Sequence, residues 1–329
     1  MAVKINRIAA ASRRFTDWNF GEFVVWRLPH LRAGLPTATL PGDLPRILQR
    51  RSETSKADYG RVVLVGGSAG MAGAPALAAM AALRSGAGLV EVLVPESIVA
   101  IAASFDPCLM TRGFPAEAEG TFSSQAFAGI LARMKFADAV AVGPGMGRCE
   151  AVSLLVQRLW RELPQPAVFD ADALWALAQL DHKTLSQHTG PRVLTPHAGE
   201  MLRLLSRDPA EAIENDRRLL EESAVQMARA IGAVIVLKGS ATLVVDATQQ
   251  AHNETGNPGM ATGGTGDVLT GIVAALMAQR FQPFAAARLA AWVHGRAGDI
   301  AACAMGEISM TARDLLDALP TAFCQIQSQ

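Results

Sequence analysis

This sequence predicts an α/β fold: a central, mostly parallel sheet with helices on both faces. Three observations carry that expectation. Apolar runs of strand length recur from residue 60 onward, and Ala/Leu-rich segments with helical spacing separate most of them. Continuous apolar runs suit strands buried on both faces, and strand–helix–strand alternation closes into a covered parallel sheet. Nearly every run also ends in a glycine-rich or polar loop.

Residues 1–56 have mixed polarity, contain Pro36, Pro41 and Pro45, and show no strand–helix repeat; they read as an N-terminal extension ahead of one domain over 57–329. RVVLVGG (61–67) is an apolar run ending in glycines, the pattern of a buried strand entering a turn. PALAAMAALRSGAG (75–88) follows as a helix, with Gly86 and Gly88 as stop signals. LVEVLV (89–94), DAVAVG (138–143), PAVFD (166–170), PRVLT (191–195) and AVIVLKG (233–239) each read as a core strand. TLVVD (242–246) and QAHNE (250–254) predict a β-hairpin, and the last helices are expected from about Thr265, Phe284 and Met310.

Half of the 329 residues are apolar and 18% are charged, ample for a large buried core. The formal net charge is zero, so no electrostatic footprint favours nucleic acid or an anionic membrane. Arg13, Arg14, Arg50 and Arg51 gather locally, which a solvated flank explains equally well. Cys108, Cys149, Cys303 and Cys324 stand far apart without a C-x-x-C pair, which points to reduced thiols and against a zinc site. Residues 1–15 lack the apolar stretch of a secretory signal, although their Arg-bearing, acid-free character weakly resembles a transit peptide. GIVAALMAQ is too short to cross a bilayer. A soluble, cytoplasmic protein is the expectation.

Ligands of open parallel sheets bind beyond the carboxyl ends of the strands. The loops there are GGSAGMAGA (66–74), GPGMG (143–147), DADAL (170–174), TPHAGE (195–200), KGSAT (238–242) and GNPGMATGGTGD (256–267). The most informative is Gly263-Gly264-Thr265-Gly266-Asp267, directly before the helix VLTGIVAALMA. Glycines there let backbone N–H groups converge, and the helix dipole adds partial positive charge, which suits a phosphoryl group. Asp267, in the first turn, is placed to accept a proton from a substrate hydroxyl; the structural alternative is a helix cap. No G-x-x-x-x-G-K-[ST] is present, and GPGMG lacks the third glycine and following acid of a dinucleotide fingerprint.

GRVVLVGGSAGMAGAPALAAMAALRSGAGLV, VGPGMG, FDADAL, LTPHAGEM, VLKGSATLV and NPGMATGGTGDVLTGIVAAL occur in that order over residues 60 to about 277. Together they resemble the ADP/ATP-dependent NAD(P)H-hydrate dehydratase family of the ribokinase-like superfamily. The resemblance implies a ribokinase-like fold. It also implies phosphorylation of the hydroxyl on a hydrated nicotinamide ring, followed by phosphate loss that restores NAD(P)H. ADP is the expected co-substrate, giving AMP, with ATP as the other option and Mg2+ as companion; NADHX and NADPHX are the expected substrates. Family members often carry an epimerase domain. Residues 1–56 are too short for one, so a separate epimerase is expected to act in the same pathway. A homotetramer is implied by the resemblance alone.

Residue by residue, the resemblance makes Asp267 the base, and Gly264, Thr265 and Gly266 the anion hole. Lys238, Gly239, Ser240, Ala241 and Thr242 match the nucleotide-binding stretch, joined by Gly266, with Asn257 in a neighbouring loop. Lysine at a strand end meets phosphate as a point charge; the alternative is a surface lysine at a sheet edge. Ala74, Gly145, Gly147, His197 and Asp267 match substrate contacts, small side chains being needed for a bulky dinucleotide to approach. His197 has the alternative of a structural hydrogen-bonder, and Glu200 that of holding the following helix. Asp170 and Asp172 are candidates to assist magnesium, with Asp172 expected as a helix N-cap; His294 reads as core or interface. Competing readings are a kinase of a small vitamin precursor in the same superfamily and a non-catalytic nucleotide sensor. A dehydrogenase is disfavoured by the missing fingerprint.

Overall fold

The computed structural model describes residues 40–47, 49–206 and 216–327. Its strands are β1 (Arg61–Val65), β2 (Leu89–Pro95), β3 (Met110–Phe114), β4 (Ala139–Val142), β5 (Ala167–Phe169), β6 (Arg192–Leu194), β7 (Val234–Leu237), β8 (Thr242–Val245) and β9 (Gln250–Asn253). They form one sheet in the order β3-β2-β1-β4-β5-β6-β7-β8-β9. Strands β1 to β7 are parallel. β8 runs antiparallel to both β7 and β9, so β9 points the same way as β7. The carboxyl ends of β1, β4, β5, β6, β7 and β9 therefore share one edge of the sheet, and the six loops singled out above follow them. Chain order reverses between β1 and β4, the position where open sheets form their ligand crevice.

The helices are α1 (Gly73–Arg84), α2 (Val99–Ala103), α3 (Ala126–Met134), α4 (Glu150–Glu162), α5 (Asp172–Leu177), α6 (His182–Leu185), α7 (Ala198–Leu204), α8 (Arg217–Ile231), α9 (Thr265–Ala278), α10 (Pro283–Met305) and α11 (Ala312–Gln327). Strand side chains alternate between faces. Val63, Val65, Val140, Val142, Phe169, Ile235 and Leu237 share a core with α3, α4, α5, α7 and α8. Val62, Leu64, Ala139, Ala141, Val168 and Val236 are fully buried on the other face, where α1, α9 and α10 pack against the strands. Every residue of α9 from Val268 to Ala278 is buried, as expected of a helix that is apolar all round. α10 opens with Pro283 in its first turn, where the missing N–H costs nothing.

Two features depart from the sequence reading. Strand β3 was not expected: its MTRGF sequence is mostly exposed at the sheet edge and carries no apolar run. It is tied to its neighbour by the buried Glu91 carboxylate on β2, which accepts from Arg112 on β3 and Arg133 on α3. Arg192 on β6 is 1% exposed and has carbonyl partners: its guanidinium donates to Trp160, Leu163, Gln165 and Pro191. It thereby serves carbonyls at the end of α4 that no helical N–H reaches, and burial holds its pKa down at about 10.

Most of the extension expected over 1–56 lies outside the described residues. The described part packs on the domain: Arg50 donates to the Gly86 carbonyl and stacks on Tyr59, and Asp43 pairs with Arg288 of α10. Among the described residues no helix is long and apolar enough to cross a membrane.

Candidate active site

A chain of polar contacts ties the strand-end loops together. After β5, Asp170 is 1% exposed, with one carboxylate oxygen 2.9 Å from Lys238 Nζ and the other accepting from Thr270 of α9 at 2.6 Å. Lys238, after β7, also lies 3.7 Å from Glu200 of α7. Burial disfavours its charge, but the Asp170 and Glu200 carboxylates outweigh that and hold its pKa above the ordinary lysine value. The alternative of a plain surface lysine is thereby set aside: Lys238 is a paired cation, one-fifth exposed.

The anion turn sits against this lysine. A Cβ placed on Gly266 would lie 3.3 Å from Lys238 Nζ and 3.7 Å from Asp170 Oδ2. Gly264 occupies the cap position of α9 at φ 92°, in the left-handed region that glycine reaches without a Cβ penalty. No side chain caps this end of the helix, so its first N–H groups stay available to an anion. Thr265 Oγ1 donates to the Met260 and Thr262 carbonyls, closing the loop behind the turn.

Asp267 is not a cap. Its carboxyl is pushed up to about 7, first by burial and then by the nearby charge of Asp170, with Lys238 pulling the other way. A carboxylate whose pKa matches neutral pH is suited to general-base work.

A cleft of about 470 Å3 opens beside the turn, between the loops after β7 and β9 and helices α9 and α10. Lys238, Gly239, Ser240, Thr242, Thr265, Gly266 and Asn257 line it, so most of the expected nucleotide set faces one cavity. Ala241 is not among its lining residues; its carbonyl accepts from Arg217 of α8. That guanidinium also donates to the Leu237 and Lys238 carbonyls, and the Thr242 hydroxyl donates to the Gly239 carbonyl, so the KGSAT turn is held from both sides. Asn257 caps its own short turn through the Gly259 N–H.

Three of the expected substrate residues, Ala74, Gly145 and Gly147, gather at the β1 and β4 loops, whereas His197 follows β6 and Asp267 lies on α9. A Cβ on Gly145 would be 3.1 Å from the Ala74 Cβ, and the Ser68 hydroxyl donates to the Gly145 carbonyl at 2.8 Å. Gly145 is buried there, whereas Gly147 keeps partial exposure. His197 caps α7: Nδ1 accepts from the Gly199 and Glu200 N–H groups while Glu200 Oε2 accepts from the His197 N–H. The structural alternatives for both residues are thus observed. Nδ1 acts as acceptor, so Nε2 carries the proton on the half-exposed ring, and partial burial, with the Lys238 charge, lowers the His197 pKa. Burial conversely raises that of Glu200.

Asp172 corrects an expectation. Ala171, at φ 52°, holds the cap position of α5, and Asp172 is the first helical residue. Its carboxylate accepts instead from the Gly147 N–H and from Arg148, both at 2.9 Å, fixing the β4 loop to the β5 loop. The carboxylates of Asp170 and Asp172 are therefore already engaged on both oxygens. No group of three or more His, Cys, Asp or Glu side chains among the described residues could hold a metal ion. A resident magnesium cage does not fit these residues.

His294 was read as core or interface. It lies on α10 and lines the same cleft, with Nε2 2.8 Å from the Thr265 carbonyl. Arg148, Arg217 and Thr270 were not singled out, since each acts on a loop remote in sequence and no local motif marks it.

Comparison with known proteins agrees with this geometry. The family described as NAD(P)H-hydrate dehydratase matches residues 62–321. The chain is 45% identical over 296 residues to the bifunctional NAD(P)H-hydrate repair enzyme Nnr of Moorella thermoacetica, covering 90% of this chain and 54% of the relative. The Nnr enzyme of Escherichia coli is 40% identical over 82% of this chain and 48% of its own length. The chain thus spans about half the length of these curated relatives. Among solved structures, the ADP/ATP-dependent NAD(P)H-hydrate dehydratase of Bacillus subtilis, co-crystallised with ATP/Mg2+, matches at TM-score 0.70 and 27% identity, over 87% of this chain and all of that one. A ribokinase-like superfamily protein of Enterococcus faecalis matches at TM-score 0.70 and 28% identity, over 85% and 92%. A ribokinase-like domain with these loops, matched from β1 into α11, belongs to the NAD(P)H-hydrate dehydratase family.

Proposed function

We propose that this protein dehydrates NADHX and NADPHX to NADH and NADPH at the expense of ADP, the expected co-substrate, or ATP. The observation that carries the reading is Asp267: a carboxyl with its pKa at about 7, one residue from the Gly266 turn and in the field of Lys238.

In this reading the nucleotide occupies the 470 Å3 cleft along Lys238–Thr242, with its terminal phosphoryl group at the Gly264–Thr265–Gly266 turn. The dinucleotide enters from the Ala74, Gly147 and His197 side, presenting its ring hydroxyl to Asp267. Asp267 takes the hydroxyl proton as the oxygen attacks the terminal phosphorus, and AMP leaves when ADP is the donor. The phosphate ester then breaks its C–O bond and inorganic phosphate departs. A proton lost from the neighbouring ring carbon restores the double bond. Backbone N–H groups at the start of α9 and the Lys238 ammonium stabilise the charge on the moving phosphoryl group. Magnesium fits this scheme as a companion of the nucleotide phosphates. The family resemblance further supports a homotetramer, the widely spaced cysteines support a cytoplasmic setting, and the N-terminal extension is read as ending near residue 56.

The test mixes the protein with hydrated NADH or NADPH, magnesium, and ADP or ATP. Growth of the reduced-nicotinamide absorbance band, in step with release of phosphate, is expected. No growth of that band, together with formation of a phosphate ester when a hydroxymethylpyrimidine or hydroxyethylthiazole replaces the hydrate, would instead identify the kinase of the same superfamily.

A further inference from the structure

Helix α10 contacts the loop that leads into the anion turn through one continuous stripe, and only His294 reaches the turn itself. The Thr255 hydroxyl donates to the Trp292 carbonyl at 2.9 Å. Asp299 accepts from the Gly256 N–H at 3.2 Å and from Asn257 Nδ2 at 3.1 Å. Close approach depends on Gly295 and Gly298, since a Cβ on either would lie 2.3 Å from Thr255 Oγ1 or Met260 Sδ respectively. His294 completes the stripe at the Thr265 carbonyl, the first residue of α9.

A carbonyl only accepts, so His294 Nε2 must carry the proton of this bond. Burial lowers the His294 pKa to about 4, which keeps the ring neutral and the tautomer fixed at working pH. The peptide unit whose carbonyl His294 holds is the one that supplies the Gly266 N–H. Rotation of that unit would turn the N–H away from the phosphoryl position. We infer that His294 is a positioning residue: it fixes the Thr265–Gly266 peptide plane so that its N–H faces the migrating phosphoryl group. This inference rests on the reaction assigned above, but its test does not depend on that reaction alone.

The test compares His294→Gln, whose amide N–H still reaches a carbonyl, with His294→Leu, which has no donor, using amide hydrogen exchange over residues 256–267 and steady-state kinetics. Exchange is expected to accelerate at least tenfold in H294L and to stay near wild type in H294Q. In the same comparison kcat is expected to fall by about 100-fold in H294L with hydrate KM little changed, since a small misplacement of a catalytic group costs about that much. H294Q should retain kcat within a few-fold. Equal exchange and equal turnover in H294L and wild type would overturn the inference. Should H294L fail to fold, His294→Ala, which also lacks the donor, decides: faster exchange over 256–267 with a several-fold lower kcat supports it, and unchanged values overturn it. If wild type proves inactive on hydrates, the assigned reaction fails while the exchange arm still judges His294.

Discussion

Lys238 Nζ lies 2.9 Å from the buried Asp170 carboxylate, joining residues that are 68 positions apart in the chain. The pair does two things: it neutralises a carboxylate that burial would otherwise penalise, and it leaves a cation facing the cleft in which the nucleotide is proposed to bind. Stability and the proposed nucleotide binding therefore meet at one contact.

Replacing Lys238 by Met separates the two roles. Asp170 would be left buried without its counter-charge, and stability should fall by about 3 kcal/mol. Nucleotide affinity should weaken at least ~10-fold, about 1.4 kcal/mol. Adding Asp170→Asn should return part of the lost stability and none of the affinity. Chemical denaturation and calorimetric titration of the single and double variants read both outcomes.

Much of this site was legible in the sequence because glycine and charge are conspicuous at strand ends. The turn 263–267, KGSAT and the β1 and β4 loops all fell on the predicted edge, since apolar runs located the strands that deliver them. Legibility failed where a contact has no local pattern. His294 and Arg217 act on loops 29 and 20–24 residues away, and nothing in their own segments marks them. Asp172 was misread because Asp in a first helical turn resembles a cap, while Ala171 took the cap position and freed the carboxylate for Gly147 and Arg148. β3 was missed because an exposed edge strand need not be apolar.

The pH profile should report Asp267. Its carboxyl accepts a proton only when ionised, and its pKa is raised to about 7. Hence kcat/KM for the hydrate should rise about tenfold per pH unit up to about pH 7 and then level off. D170N removes a charge that raises this pKa and should move the limb down in pH; K238M removes one that lowers it and should move the limb up. The same shift costs stability as pH rises from the unfolded value of 3.8 through about 7, because only the unfolded carboxyl ionises freely there.

Arg192 offers a control remote from the chemistry. Arg192→Leu would strand the carbonyls of Trp160 and Leu163 in the core. A loss of about 3 kcal/mol in unfolding free energy is expected, with kcat and KM unchanged at temperatures where the variant is folded. A stable R192L protein would mean that other donors serve the end of α4.

The most direct measurement concerns Asp267 itself. Asp267→Asn keeps the shape of the first turn of α9 and removes the proton acceptor. Nucleotide affinity should stay within a few-fold of wild type, while kcat falls by about 10²–10⁴, the usual contribution of a general base. Turnover within tenfold of wild type at unchanged affinity would contradict the account, since proton removal would then lie with another group.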